Sequence, residues 1–308
     1  MRPRAAGLAV VRVLLVLGLV LGPAGCSQGT PEPTVVAPIA GTIRFASYDF
    51  SENQILVELY AEAARREGLL VSVQHGVGTR EVVSPALQQG VVDVVIDYLG
   101  TALSFARPEA ADLPRVPEEM HAVLQRTLGG RGVAVLQPAR AEDQNGFAVT
   151  TAFSVEHGVI RLSELHPLAP SLTFGGPPEC PQRPFCLRGL EETYGLEFGE
   201  VRAMPSRTAT VEDLRSGQID VGLLETTDAR LAVAPVVLLI DDLGLQPPEN
   251  VVPLVRTAAI DRWGEELRTA LDDVSARLTT ADLVELNAAV ELQGKTAAEA
   301  AEQWWAGA

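Results

Sequence analysis

Short apolar runs and helix-period stretches alternate along most of this chain. Residues 43–47 read as a strand. Beyond it Ile55, Leu59 and Ala63, with Leu56 and Tyr60 beside them, fall on one helical face, and Ser51 with Gln54 three residues later resembles a capping box. Residues 70–73 predict a second strand, 81–89 a helix, and 91–96 a third strand. A Pro-punctuated loop then leads to a helix over 118–128 and a strand over 133–136. A second set of such units starts near Gly146 and runs to about Leu239. This alternation predicts an α/β fold. After 251–256, helices near 262–278, 280–292 and 296–305 have no partner strands of their own, so they are expected to pack back on the first set. Leu283, Leu286 and Val290 form an apolar stripe on the second of these helices, with Gly294 as its stop. The expected organisation is one lobe of residues 41–140 plus 248–308 and another of 141–247. Crossings near 138–144 and 241–250 make a hinge with an interlobe cleft.

An internal echo sharpens this expectation. Leu87-Gln-Gln-Gly-Val-Val-Asp-Val-Val-Ile-Asp-Tyr98 lines up with Leu214-Arg-Ser-Gly-Gln-Ile-Asp-Val-Gly-Leu-Leu-Glu225, pairing Gly90 with Gly217, Asp93 with Asp220 and Val94 with Val221. Each copy runs from a helix end through a Gly stop into an apolar strand and a polar loop. Ligands of open α/β sheets sit beyond the carboxyl ends of strands, so the loops 98–101 and 225–228 are expected to face one another across the cleft.

The N-terminus bears on the compartment. Arg2 and Arg4 precede an apolar run over 13–21, too short for the ~20 residues of a spanning helix, and then Ala24-Gly25-Cys26. This describes residues 1–25 as a signal peptide. Cys26, directly after the small pair, is the expected lipidation site, and 26–40 the tether of a protein held on the extracytoplasmic face of the cell membrane. An ordinary secreted protein with an incidental cysteine is the alternative. With three cysteines in all, Cys180 and Cys186 are left to pair as a disulfide in a Pro-rich loop, a sensible bond after export; an incomplete zinc shell is the rival.

The net charge of −16 becomes more negative without residues 1–25, whose only charged side chains are Arg2, Arg4 and Arg12. Nucleic-acid backbones require clustered cations, which argues against such a partner. No Gly-x-Ser-x-Gly elbow, phosphate loop or His-Glu-x-x-His pair is present, and the four histidines are scattered; no catalytic residue, metal or cofactor is expected.

Candidate ligand residues lie in loops after strands. Tyr48, Phe50 and Glu52 stand at a helix start whose amides suit an anionic group, with Phe50 equally readable as core. Thr79 and Arg80 precede another helix, where Arg80 is suited to a carboxylate. Tyr98 reads as a cleft wall, so that Tyr98→Ala should weaken binding without unfolding the protein. Glu225 could face a cationic ligand or be solvated at the rim. Aromatic residues make up 5% of the chain, so a cage of several rings is not assumed.

At these same loops the sequence resembles substrate-binding proteins of ABC importers for glycine betaine, choline and related quaternary ammonium compounds. The matching stretches are 45–60 (FASYDFSENQILVELY), 78–103 (GTREVVSPALQQGVVDVVIDYLGTAL), 143–150 (DQNGFAVT), 172–187 (LTFGGPPECPQRPFCL), 214–228 and 244–255 (GLQPPENVVPLV). The resemblance implies a two-lobed type II periplasmic-binding-protein fold. It also implies a monomer that closes on a small solute and docks on a membrane permease with a cytoplasmic ATPase. Tyr98 matches the tyrosine of the family's Tyr-Thr-Gly-Thr loop, with Leu99 replacing the first threonine. Family members with aromatic cages often place rings at the positions of Glu225 and near Val211. The candidate contacts are thus Tyr48, Phe50, Glu52, Thr79, Arg80, Tyr98, Thr101, Asn145, Glu225, Thr226, Thr227 and Asp228. Binding of another amine or amino-acid-like solute, an exported enzyme, and a sensor on the same bilobed fold are the competing readings.

Overall fold

In the computed structural model, which describes residues 41–108, 113–178 and 180–307, the first set of units folds as β1 (Ile43–Tyr48), α1 (Ser51–Arg66), β2 (Val71–Gly78), α2 (Arg80–Gln88), β3 (Val94–Tyr98), α3 (Leu99–Ala106), α4 (Pro117–Gly129) and β4 (Val133–Val135). The second set is β5 (Asn145–Thr150), α5 (Thr151–His157), β6 (Thr173–Gly176), α6 (Leu187–Tyr194), β7 (Glu200–Ala203), α7 (Arg207–Ser216), β8 (Val221–Glu225) and β9 (Val236–Leu238). The chain ends in β10 (Val251–Arg256), α8 (Thr257–Arg277), α9 (Thr280–Glu291) and α10 (Ala297–Gly307). Cys26, the proposed signal and the tether lie outside the described residues. Among those described, no helix is long and apolar enough to cross a membrane.

Two mixed five-stranded sheets result, in the orders β2-β1-β3-β10-β4 and β7-β6-β8-β5-β9. Each has three parallel strands and then one antiparallel strand that arrives from the other sheet. In the first sheet this is β10 beside β3, with Val251 opposite Tyr98; in the second it is β5 beside β8, with Asn145 opposite Glu225. The chain therefore passes between the sheets twice, through 136–144 and 239–250, and these passages are bonded to one another by an antiparallel bridge between Glu142 and Asn250.

The echo in sequence is an echo in structure. Gly90 and Gly217 both take left-handed backbone, at φ 75° and 70°, where a side chain would be strained. Asp93 and Asp220 then make the same reciprocal contact with the neighbouring parallel strand. Asp93 Oδ2 accepts from the Arg44 backbone N–H at 3.1 Å, while its own N–H donates to the Arg44 carbonyl at 2.8 Å. Asp220 Oδ2 accepts from the Thr173 N–H at 2.8 Å, and its N–H donates to the Thr173 carbonyl at 2.9 Å. Arg44 and Arg256 close around the fully buried Asp93.

Both faces of each sheet are covered. Ile55, Leu59, Tyr60 and Ala63 of α1 pack against Ile43, Phe45 and Ile96 of the first sheet and against α8, α9 and α10. The C-terminal helices thus return to the first set, as their apolar faces require. Three expectations need correction. Ser51 is the first residue of α1 rather than its cap; Phe50 occupies the cap position and no side chain caps the helix. The second strand runs on to Gly78 because its pairing with β1 continues, past an irregularity, to Tyr48. The helix expected from 262 starts at Thr257 and breaks at Gly264, whose φ of 67° lies outside helical space.

Candidate functional site

The ends of β1 and β3 lie side by side at the carboxyl edge of the first sheet. Asn53, fully buried one turn into α1, holds the turn there: its Oδ1 accepts from the Tyr48 N–H at 2.7 Å and its Nδ2 donates to the Ile96 carbonyl at 2.8 Å. Tyr48 then donates its hydroxyl to Asp97 Oδ2 at 2.5 Å. Arg80 grips the same carboxylate through Nε at 3.0 Å and Nη2 at 2.7 Å, with its guanidinium 4.8 Å from the centre of the Tyr48 ring. Arg80 is therefore an internal partner of Asp97 rather than an open carboxylate receptor. Tyr48, Phe50 and Tyr98 set three rings in a row, with centroids 6.1 and 6.4 Å apart and planes within 12° and 25° of parallel.

Tyr98 donates its hydroxyl to Glu52. Asn287 of α9 donates to the other oxygen of that carboxyl at 2.7 Å, and also to the Thr227 carbonyl at 2.9 Å. This chain of bonds connects the end of β3, which runs straight into α3 rather than into the expected loop, to the loop after β8. Thr227 continues it, donating from Oγ1 to Asp143 at 2.9 Å. On the opposite side Glu249 accepts from the Thr101 N–H at 3.0 Å and from its hydroxyl at 2.8 Å.

Burial pushes the Glu52 carboxyl up, against hydrogen bonds from Thr227, Tyr98 and Asn287. Burial, reinforced by the neighbouring Glu52, holds Asp143 well above the usual carboxylate range. Glu249 is pushed up to about 7, again by burial first. No ion pair to these three acids occurs among the described residues. Elsewhere the acids are matched: Glu225 receives both Arg207 Nε bonds, at 2.9 and 2.7 Å, and Asp228 receives Arg230 at 2.9 Å.

Three cavities adjoin at Phe50, which is 37% exposed. One of about 390 Å³ includes Tyr48, Thr79, Arg80 and Thr101. A second, of about 310 Å³, is lined by Arg80, Tyr98, Asp143, Asn145, Phe185 and Glu249 among others. The third, of about 440 Å³, reaches Ser51, Glu52, Glu225, Thr227, Asp228 and Asn287. The second and third set aromatic carbon beside acids whose charge burial disfavours, Asp143 in both and Glu52 in the third, an arrangement that attracts an organic cation. A further cavity of about 420 Å³ lies between α8, α9 and α10 and shares none of these residues.

Eleven of the twelve candidate residues line these three cavities. Thr226 does not; its hydroxyl accepts from the Gln144 N–H at 2.9 Å, turned toward the passage between sheets. Glu225 lines the third cavity, but as the partner of Arg207 it is no free counter-charge. Tyr98 is 5% exposed and part of the first core, so it is at once wall and core. Val211, on α7, is buried in a core cluster with Ala148, Leu214 and Leu224 and lines none of the three cavities. Cys180 and Cys186 form a disulfide with Cα atoms 5.2 Å apart, which settles the alternative of a metal. It closes the loop carrying Phe185, whose carbonyl accepts from Asn145 at 3.1 Å and Gln246 at 3.0 Å. The sequence reading missed Asp143, Phe185, Arg207, Glu249 and Asn287. Asp143 and Glu249 stood within quoted stretches of resemblance, and Asn287 was a polar residue next to an apolar stripe.

The family model for the substrate-binding domain of ABC-type glycine betaine transport systems matches residues 41–307, the whole described body. The chain belongs to that family. Among the relatives of this substrate-binding domain is a glycine-betaine-binding protein of Pseudomonas aeruginosa, 28% identical over 274 residues, 83% of this chain and 85% of the relative. A carnitine transport binding protein of Listeria monocytogenes is 25% identical over 264 residues, 82% of each chain. The fold matches the crystal structure of a glycine betaine/carnitine/choline ABC transporter protein at a TM-score of 0.80, with 21% identity over 86% of this chain and 98% of the other.

Proposed function

We propose that this substrate-binding domain captures a small organic cation or zwitterion with a methylated ammonium group and delivers it to an ABC permease driven by a cytoplasmic ATPase. Glycine betaine, choline and carnitine are the candidates. The observation that carries this reading is the row of Tyr48, Phe50 and Tyr98 beside three acids, Glu52, Asp143 and Glu249, that form no ion pair among the described residues. A trimethylammonium group offers dispersed positive charge and apolar methyls, so it can meet ring faces and acid together without demanding hydrogen bonds. The binding unit is a monomer of two lobes, 41–140 with 248–308 and 141–247, and it is held at the extracytoplasmic face of the cell membrane by lipid on Cys26. The ligand contacts are the eleven cavity-lining candidates together with Asp143, Phe185, Glu249 and Asn287.

A calorimetric titration of residues 27–308 with glycine betaine, choline and carnitine tests the ligand class. Saturable one-to-one binding of any of them supports it. Binding only of amino acids or sugars, with none of the methylated ammonium compounds, overturns it. Labelling of the expressed protein with a radioactive fatty acid, abolished by Cys26→Ser, tests the anchor.

A further inference from the structure

The helix α9 presents two unlike faces. Leu283 and Leu286 are buried in the first core and Val290 packs against it. Thr280, Asn287 and Glu291, seven and four residues apart, share another face of the same helix. Each of these three meets the set of units over 141–247. At the start of α9, Thr280 Oγ1 accepts from the Glu142 N–H at 3.2 Å. Further on, the buried Asn287 amide donates to the Thr227 carbonyl at 2.9 Å while holding Glu52 of its own set at 2.7 Å. At the end, the Glu291 carboxylate lies 4.0 Å from Arg230. From Thr280 to Glu291 these contacts follow about 16 Å of helix. The opposing surface is shaped by its own side. After β8 the chain turns into a short 3-10 helix, Ala229–Ala232, that packs against α9 with Ala229 buried. Arg230 is oriented within the second set: its Nη1 donates to both Asp228 oxygens, at 2.9 and 3.1 Å, and its Nη2 to Thr208 Oγ1 at 2.9 Å. It therefore meets Glu291 without having to be ordered by it, which limits the side-chain entropy lost in the contact.

We propose that this edge of α9 is a third tie between the lobes, alongside the two crossings, and that Glu291 is a positioning residue for ligand capture, acting through Arg230 rather than through the ligand. The proposal rests on the two-lobed reading above and adds to it a contact that sets the angle between the lobes. Glu52 from one lobe and Asp143, Thr227 and Asp228 from the other line a single cavity, so a change of angle at α9 draws its walls apart. The tie holds both walls within reach of one ligand. Its loss lowers the fraction of molecules with that spacing, and apparent affinity falls by the same fraction for every ligand.

The test is Glu291→Arg, which sets two cations face to face at the tie; Glu291→Gln removes the attraction without adding repulsion. Glu291 is exposed and ends α9, so both variants should fold. Nitroxide labels at Leu70→Cys and Val155→Cys report the separation of the lobes by pulsed dipolar spectroscopy. These exposed residues stand one in each lobe and line none of the three cavities. The expected result is a broader, displaced separation in Glu291→Arg without solute, restored by saturating glycine betaine. The Kd for glycine betaine and that for L-carnitine should rise by one common factor of about fivefold or more, with Glu291→Gln between variant and wild type. Both compounds are zwitterions, which limits any direct effect of the added cation. A wild-type separation in solute-free Glu291→Arg overturns the tie, even if the melting temperature falls, since Glu291 then serves stability alone. Unequal losses for the two compounds overturn it as well, by making Glu291 a direct ligand contact. The separation is read without solute, so failure of every methylated ammonium compound to bind removes the ammonium reading and leaves the labels to decide the tie.

Discussion

Glu249 keeps its proton to about pH 7, against an ordinary value of 4.5, because burial disfavours the charged carboxylate more than its two bonds from Thr101 favour it. The folded chain consequently binds more protons than the unfolded chain between these two values. Stability then falls as pH rises through that window and levels off above about 7. The gap corresponds to at most about 3 kcal/mol, less whatever solvent reaches the partly exposed residue. Ligand binding has the opposite sign. A cation in the cleft favours ionised Glu249, so its affinity should rise with pH through 7 and its capture should release protons near pH 6.5. Calorimetry with choline in two buffers of different ionisation enthalpy counts those protons. Glu249→Gln removes the part of the release centred near 7, whereas Glu52 and Asp143, also raised by burial, retain theirs. Wild type and Glu249→Gln with the same proton release and the same affinity from pH 6 to 8 would refute the reasoning.

Other perturbations are expected to separate packing from binding. Tyr98→Ala should cost about 3–5 kcal/mol of stability, because the ring belongs to the core as well as the cleft; a urea midpoint close to wild type would return Tyr98 to the role of a pure wall. Gly100→Ala should weaken both stability and ligand binding, since an added Cβ falls 2.8 Å from the Pro248 carbonyl and from Glu249 Oε1; unchanged calorimetry and melting would show that the contact between α3 and residues 248–249 yields easily. Joint replacement of Cys180 and Cys186 by serine should lower stability by about 2 kcal/mol, the chain-entropy value for so short a loop, in urea unfolding without reductant. Glu225→Gln should weaken neutral and cationic ligands to a similar degree, because it breaks the pair with Arg207 rather than removing a free charge; selective loss of cations would restore Glu225 as the counter-charge.

Local chemistry explains which features could be read ahead of the structure. Gly90 and Asp93 act within a few residues of a helix end and strand start, as do Gly217 and Asp220, so their repeated spacing carries their structural role directly. The acid–arginine pairs are different. Whether Arg80 waits for a ligand or closes on Asp97, and whether Glu225 is free or held by Arg207, depends on which strand ends the sheets bring together. Asn287 meets Glu52 across 235 residues of sequence, a contact that no window of periodicity contains. At Gly264 the helical pattern of apolar positions resumes after the break, so the onset of the pattern is not the onset of the helix.

The echo reaches further than its two strands, and this accounts for where the surplus acid lies. Asp143 stands two residues before β5 and Glu249 two residues before β10, the strands that enter each sheet from the other. Each acid accepts a hydroxyl from the segment after the echoed strand it adjoins: Thr227 in the loop after β8 for Asp143, Thr101 in the first turn of α3 for Glu249. The Asp143 N–H donates to the Glu249 carbonyl at 3.2 Å, so the two passages are bonded at the acids themselves. Two of the three raised acids thus lie on the segments that connect the two sheets, while Tyr48, Phe50 and Tyr98 belong to the first set of units. On the proposed reading, a cation bound beside Asp143 and Glu249 acts directly on the crossings between the sheets. Coupling of binding to a movement of the lobes would then need no relay through them, because the acids whose charge burial disfavours lie on the connecting segments.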